Sequence, residues 1–357
     1  MSPVQDMDRI CKTPLFFIVG RPRTGSTLLR TLFDAHPNVT IPQEWPMLLA
    51  LYRKFGHIRH WKKKDLEEFN QALYQRLRIP YWEITNWPGF NSTEIRNALL
   101  SCEGEHSFET LFKLVYSHYH SYFPKEKILL FGDKNPAYSN QAELLAQIFP
   151  SARFIHLTRD YRDNLASMLN VDFEMPNAAL LTYRWRYSWE KIEKVAAANP
   201  DRFLRVRYED LVSDAPAKFG EICRFLDVPY DPSIFEFYKK QEEIERSFPK
   251  EVINHYFRSL FNPIDPSRVG IYRKELNSLQ IRIADQVAGS TARKAGYERD
   301  YKRFNPLVFI WTLPAILYAK WLVNVGWMVG LLPYSIMMWL LNKPSVIVKW
   351  YTKLLKH

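Results

Sequence analysis

Apolar and polar positions divide the chain into a regular front part and a distinct tail. Residues 15–19 read LFFIV, a continuous apolar run bounded by Pro14 and Gly20, short and β-type enough to predict a buried strand. The next ten residues, GRPRTGSTLL, form a Gly/Pro loop that passes into a helix, with Leu28, Leu29, Leu32 and Phe33 at helical spacing. His36-Pro37 predicts its end, because the residue before a proline disfavours the α region. Further strands are predicted at Ile128–Phe131, Arg153–Leu157 and Phe203–Arg207. A loop (GDKNP), a helix from about Tyr161 and a helix opening at YEDLV follow them in turn. Strands alternating with helices predict an α/β fold with one parallel sheet covered on both faces. In such a sheet ligands bind beyond the carboxyl ends of the strands. Residues 45–125 are aromatic, charged and mostly helical in pattern, broken at Pro80 and Pro88, and predict a helical insertion or cap. No internal repeat or low-complexity linker is visible.

The tail breaks this pattern. Residues 304–342 contain one charge, Lys320, and comprise two halves of about 19 residues, each close to the length of a bilayer core. Pro314 and Pro333 lie inside the halves, and Asn324 and Gly326 near the midpoint predict a turn. Five of the eleven tryptophans fall here or just after: Trp311, Trp321, Trp327, Trp339 and Trp350. The closing VIVKWYTKLLKH places Ile347, Trp350, Tyr351, Leu354 and Leu355 on one helical face and Lys349, Lys353 and Lys356 on the other. Basic residues at both ends put both on the cytoplasmic side of a membrane, as a hairpin, a re-entrant loop or an in-plane helix pair allows and one straight span does not. The organisation expected is a 1–300 domain and a membrane-associated 301–357 tail. A homodimer interface or a core helix is the competing reading of the same apolar stretch.

Charge supports this division. The formal net charge is +11, and residues 301–357 carry seven basic residues and no acid, leaving +4 for residues 1–300. Basic residues that flank apolar stretches are poor company for nucleic acid, which calls for a polar basic face, and suit anionic lipid instead. The three cysteines, Cys11, Cys102 and Cys223, are widely spaced, which fits a reducing compartment and argues against a disulfide framework or a zinc ribbon. The opening MSPVQDMDRICKTP has no apolar run of signal-peptide type.

Gly20–Thr27 has the frame of a nucleotide P-loop, G-x-x-x-x-G-K-[ST], with Ser26 in place of the lysine. Consecutive backbone N–H groups at a helix N-terminus hold phosphate. The missing lysine is the one that pairs with β/γ-phosphates beside magnesium, so the loop, with Arg21 and Arg23, suits a shorter phosphate chain and no metal.

The phrase PRTGSTLLRTLFDAHPNV resembles the 5′-phosphosulfate loop of the sulfotransferases that use 3′-phosphoadenosine 5′-phosphosulfate (PAPS), in particular their bacterial and tyrosylprotein-type branches. FIHLTRDYRDNLASML is similar to their 3′-phosphate motif, with Arg159 and Ser167 eight positions apart. VRYEDLV, with Tyr208, resembles a segment beside the nucleotide, and DPSRVGIYRKEL resembles the late loop over the 3′-phosphate, with Ser267, Arg268, Gly270 and Arg273. The resemblance runs patchily over residues 14–300, outside 45–125 and the tail. It implies a PAPS donor and no metal. Arg21, Arg23, Thr24, Gly25, Ser26 and Thr27 would stand at the 5′ end, with Arg23 also on the sulfuryl oxygens. It implies Glu44, 21 positions after Arg23, as general base and Lys134 as the cation on the leaving oxygen. The histidine base of the small-molecule branch has no counterpart. His57, His60, His118 and His120 fall in the cap, where packing is the default. Val171 stands where some members carry another arginine, leaving Arg268 or Arg273 to complete the 3′ pocket.

The function expected is sulfuryl transfer to a hydroxyl of an amphipathic acceptor (lipid, sterol or lipid-linked sugar) at the cytoplasmic face of a membrane. A glycan, phenol or protein tyrosine remains open as acceptor. The rival readings are a P-loop kinase or NTPase, and a binding module without catalysis.

Overall fold

A computed structural model describes residues 3–342, apart from 46, 75–76, 80–81, 85–88, 172 and 241–260. Five strands make the main sheet: β1 (Leu15–Val19), β2 (Val39–Thr40), β3 (Leu130–Lys134), β4 (Arg153–Thr158) and β5 (Phe203–Arg207). Their spatial order is β2-β3-β1-β4-β5 and every pairing is parallel. The expected parallel α/β architecture is present.

All five residues of β1 are buried, because it is the central strand and both of its faces are covered. Leu15, Phe17 and Val19 point into one apolar cluster with Phe131, Phe149 and Phe154. Phe16 and Ile18 point into the other with Leu29, Leu32 and Phe33 of α1 (Ser26–Ala35), and with Ile155 and Leu157. Each buried phenylalanine of this kind contributes about 1.5–3 kcal/mol, so the strand that feeds the Gly20–Thr27 loop is among the firmest in the molecule.

The strand predicted at Ile128–Phe131 is displaced. β3 starts at Leu130 and includes Gly132, Asp133 and Lys134, which the sequence pattern had assigned to a loop. Gly132 makes this pairing feasible, since a Cβ there would lie 2.5 Å from the Phe16 ring. Asp133 tolerates a central strand because Tyr138 donates to its carboxylate at 2.7 Å. The short β2, which pairs with Leu130 and Phe131, has no signal in the sequence.

Residues 45–125 are mainly helical, at Leu48–Phe55, Lys63–Leu73, Ser92–Leu100 and Phe108–Ser117. Two short antiparallel pairs accompany them, His60–Trp61 with Gly104–Glu105 and Leu77–Ile79 with Trp82–Ile84. Pro80 and Pro88 lie outside the described residues. Apolar side chains of this segment join the core cluster that holds Phe17 and Phe131, so it shares the sheet's core.

Further helices are α2 (Tyr161–Met168), α3 (Ala178–Ala198) and α4 (Ser278–Ala288). The apolar tail forms α5 (Pro306–Val329) and α6 (Tyr334–Asn342). The turn expected at Asn324 and Gly326 is not there. α5 runs through both, since one glycine in a helix costs only about 1 kcal/mol, and the break comes at Gly330–Pro333, where a proline follows. The basic amphipathic pattern of residues 346–357 lies outside the described residues.

α5 is long and apolar enough to cross a bilayer, with a mean hydropathy of 1.6 in its most apolar window, of which 17% is buried. Its buried stripe, Val308, Thr312 and Ala319, rests on α3 and α4. Leu307, Ile310, Trp311, Leu317, Trp321 and Trp327 are exposed. α6 packs on Leu48–Phe55, with Lys54 over the Tyr334 ring.

Candidate active site

The carboxyl ends of β1, β3, β4 and β5 deliver Gly20, Asn135, Arg159 and Tyr208 to one edge of the sheet. The loop after β1 is held by its neighbours. Ser139 donates to the Gly20 carbonyl, Asn164 to that of Pro22 at 2.8 Å, and Thr24 to that of Arg21 at 2.9 Å. Gly25 occupies the N-cap of α1 at φ 90°, with no side-chain cap on the helix. A Cβ there would meet the Tyr208 ring at 2.4 Å, so glycine is needed both for the turn and for the close approach. Arg23 has φ 67°, an uncommon conformation for a non-glycine residue.

Three side chains from distant parts of the chain converge beside this loop. Lys134, at the end of β3 and 2% exposed, donates to the Glu44 carboxylate and, at 3.3 Å, to the Thr27 hydroxyl. Burial holds the Lys134 ammonium below its ordinary pKa, which favours giving up a proton; Glu44 opposes that shift. Glu44 keeps about three-tenths of its side chain open to solvent, so a reacting group can reach it. Asp133, the next residue back, is pushed up to about 7 by burial.

A second cluster forms around Arg159, which is 6% exposed. Its guanidinium lies 4.5 Å from the Tyr208 ring centre and donates to the carbonyls of Arg268 at 2.8 Å and Arg23 at 3.4 Å. Its Nε is buried without a partner, as is Nδ2 of Asn135 at the end of β3. Arg23 Nε donates to the Ser167 hydroxyl at 3.0 Å, joining the first loop to α2. The structure therefore brings Arg23, Ser167, Arg159 and Tyr208 together, and Thr27, Lys134 and Glu44 together.

Several expected binding residues are placed differently. Arg21 turns inward, where its guanidinium donates to Glu174, and Arg184 of α3 donates to the same carboxylate. Burial lowers Arg21 to about 10, and only a buried carboxylate makes such a site tolerable. Arg21 is a structural tie of the loop. In the late loop, it is the carbonyl of Arg268 that meets Arg159, while its guanidinium pairs with Glu275 at 3.1 Å. Arg273 is exposed, over the Tyr272 ring. Ser267 is held by Asp265. Gly270, at φ 72°, donates to Asp163 of α2 at 2.8 Å, and Tyr272 donates to the same carboxylate at 2.9 Å. Asp163, missed in the sequence, thus clips the late loop to the site; its only signal is an acid one turn past Arg159.

Among the described residues no group of three or more His, Cys, Asp or Glu side chains is arranged to hold a metal. His118 is bonded to the Leu114 carbonyl and His120 to Glu94, both within the cap, and His57 and His60 are exposed there.

A model described as "Sulfotransferase family" matches residues 14–232, more than half of the chain. The chain belongs to the sulfotransferase family. The matched region includes all five strands, the loop after β1, Glu44, Lys134, Arg159 and Tyr208, and it ends before the late loop and the tail. Among curated relatives, a protein-tyrosine sulfotransferase of Drosophila melanogaster is 27% identical over 62% of this chain and 39% of its own length. Protein-tyrosine sulfotransferase 1 of Danio rerio is 24% identical over 83% of this chain and 77% of its own. The omega-hydroxy-beta-dihydromenaquinone-9 sulfotransferase Stf3 of Mycobacterium bovis is 26% identical over 61% and 64%. The chain thus spans between about two-fifths and three-quarters of those relatives. A sulfotransferase domain from the Synechococcus PCC 7002 olefin synthase has the same fold, with a TM-score of 0.51 and 24% identity over 77% of this chain and 94% of that domain.

Proposed function

We propose that this sulfotransferase transfers a sulfuryl group from PAPS to a hydroxyl of an amphipathic, membrane-resident acceptor, with Glu44 as general base. The observation that carries the reaction is the Glu44–Lys134–Thr27 constellation beside a helix N-terminus that no side chain caps. The residues fit such a donor: uncapped N–H groups of α1 suit the 5′ end, and Arg159, with its unpartnered Nε under Tyr208, suits the 3′-phosphate. When bound, the donor supplies an activated sulfuryl group on a phosphate leaving group.

Glu44 accepts the proton of the acceptor hydroxyl as the new O–S bond forms. The S–O bond to phosphate breaks, and Lys134 and Thr27 meet the charge on the departing oxygen, in the in-line manner of phosphoryl transfer. Arg23, oriented by Ser167, faces the sulfuryl oxygens. Lys134, bonded to Glu44 before the acceptor arrives, holds the carboxylate beside the first loop. No residue in this scheme requires a metal.

The acceptor class rests on the tail. α5 presents a largely apolar outer surface and only one charge, Lys320, and Lys302 and Arg303 precede it. One stripe of the helix is bound to α3 and α4 along much of its length. A helix held flat on the domain serves as an interfacial anchor in the cytoplasmic leaflet and leaves its tryptophans for lipid. The mycobacterial relative, named for a lipid-like hydroxyl substrate, supports this class, and the protein-tyrosine relatives support the alternative.

The test uses radiolabelled PAPS with three acceptors: a C20 isoprenoid alcohol in phosphatidylcholine/phosphatidylglycerol vesicles, 4-nitrophenol, and an acidic tyrosine peptide. Label on the vesicle alcohol supports the reading. Label on the peptide alone overturns the acceptor class and keeps the reaction. Stabilisation by ATP with magnesium but not by 3′,5′-bisphosphoadenosine overturns both.

A further inference from the structure

Glu44 lies in the irregular segment between β2 and helix Leu48–Phe55, and something must hold that segment against the site. Arg30, on α1 one turn beyond Thr27 and 4% exposed, supplies the contact. Its Nε donates to the Pro42 carbonyl at 3.2 Å, and Nη2 donates to that of Ile41 at 3.0 Å. Nη2 also reaches the Asp34 carboxylate and the Tyr119 hydroxyl, each at 3.0 Å. Asp34 is fixed in turn by Ser121 at 2.7 Å and by Lys125. One guanidinium therefore grips two consecutive carbonyls just ahead of Glu44, from the same helix whose first turn meets Lys134.

Resting on the proposed reaction, we infer that Arg30 is a positioning residue for sulfuryl transfer: it clamps residues 41 and 42 so that Glu44 stands against Lys134, and its buried charge faces that pair. The planar fork matters, because two carbonyls on successive residues need two diverging N–H groups on a rigid frame, which an ammonium lacks. The charged and titratable groups around it are Asp34 on its own helix, Tyr119 and Lys125 from the last residues of the cap, Lys134 from β3, and Glu44 itself. Arg30 touches none of the reacting atoms, so it acts through Glu44 alone.

The experiment compares wild type, Arg30→Lys, Glu44→Gln and the double variant, with Tyr119→Phe as a folding-tolerant control. Hydrogen exchange of peptides covering residues 39–45 is expected to quicken at least ~10-fold in Arg30→Lys while β1 stays protected. The turnover number is expected to fall ~30–100-fold, the size of effect that misplacing a reacting group by about 1 Å produces. The affinity for 3′,5′-bisphosphoadenosine, measured by calorimetry, should stay within about twofold, since Arg30 is not a donor ligand. Arg30→Lys should add little in the Glu44→Gln background, because both act through one group. Tyr119→Phe, which leaves both carbonyl bonds in place, should lose less than ~3-fold.

Unchanged exchange over residues 39–45, or full additivity with Glu44→Gln, overturns the inference. So does a Tyr119→Phe variant as impaired as Arg30→Lys, which would trace the effect to cap packing. A Glu44→Gln enzyme at wild-type rate overturns the proposed base and this inference together. Unchanged exchange with an inactive Glu44→Gln enzyme overturns this inference alone.

Discussion

Lys134 is fully buried, and a buried ammonium needs a counter-charge; Glu44 provides it while staying partly open to solvent. In the proposed reaction that asymmetry suits the carboxylate to accept the proton and the lysine to neutralise charge. Glu44→Gln is expected to reduce turnover ~10²–10⁴-fold with donor affinity retained, as steady-state kinetics and calorimetry would show. Arg159→Ala removes a charge-assisted donor and should weaken 3′,5′-bisphosphoadenosine binding about 10–100-fold. Asp133 provides a pH signature. Its folded pKa is raised by burial from 3.8 to about 7, so between those values the folded state holds a proton that the unfolded state has lost. Stability must therefore fall as pH rises from about 4 to 7 and level off above. Asp133→Asn should lack that slope, and the difference between the two melting profiles isolates the effect. Identical slopes would contradict the assignment.

Among the elements, the loop after β1 illustrates what can be read locally. Its glycines, its position after an apolar run and the helix that follows are all contiguous, and the strand–loop–helix unit is found as the pattern predicts. Its arginines could not be told apart in this way. Arg21 and Arg23 are two residues apart, yet one is tied into a buried ion pair with Glu174 and the other meets Ser167. Those partners lie more than 140 positions away, beyond any local pattern. The same limit hid the end of β3: GDK reads as a loop until the Phe16 ring and the Tyr138 hydroxyl account for Gly132 and Asp133. Gly25→Ala tests how tightly the loop is specified. The positive φ and the Tyr208 ring both oppose a methyl group, so the variant should melt several degrees lower and lose bisphosphate binding.

The molecule as a whole carries its chemistry at the carboxyl edge of the sheet and an apolar double helix against its flank. α6 rests on Leu48–Phe55, the helix just after Glu44, and α5 rests on α3, which carries Arg184 of the ion triad under the first loop. The tail is thus built onto elements that lead directly to the site. Replacing exposed Trp311 and Trp327 with glutamate should cut binding to phosphatidylglycerol-containing vesicles at least ~10-fold in a flotation assay, and should lower transfer to a vesicle-borne alcohol more than to 4-nitrophenol. Unaltered flotation would remove the membrane from the account and return the apolar surface to a protein partner.

The sequence by itself determined whatever depends on neighbours in the chain: the strand–helix alternation, the lysine-less phosphate loop, the apolar tail and the family resemblance. These follow from periodicity and backbone restrictions that act over a few residues. Only the tertiary structure decided which polar groups meet. It paired Lys134 with Glu44, ninety positions away, sent Arg21 to Glu174, offered the Arg268 carbonyl rather than its guanidinium to Arg159, and set Arg30 behind the segment carrying Glu44. The reason is physical. A buried charge is tolerable only beside a partner, and that partner is chosen by the packing of the sheet and its helices, which the order of residues along the chain does not display.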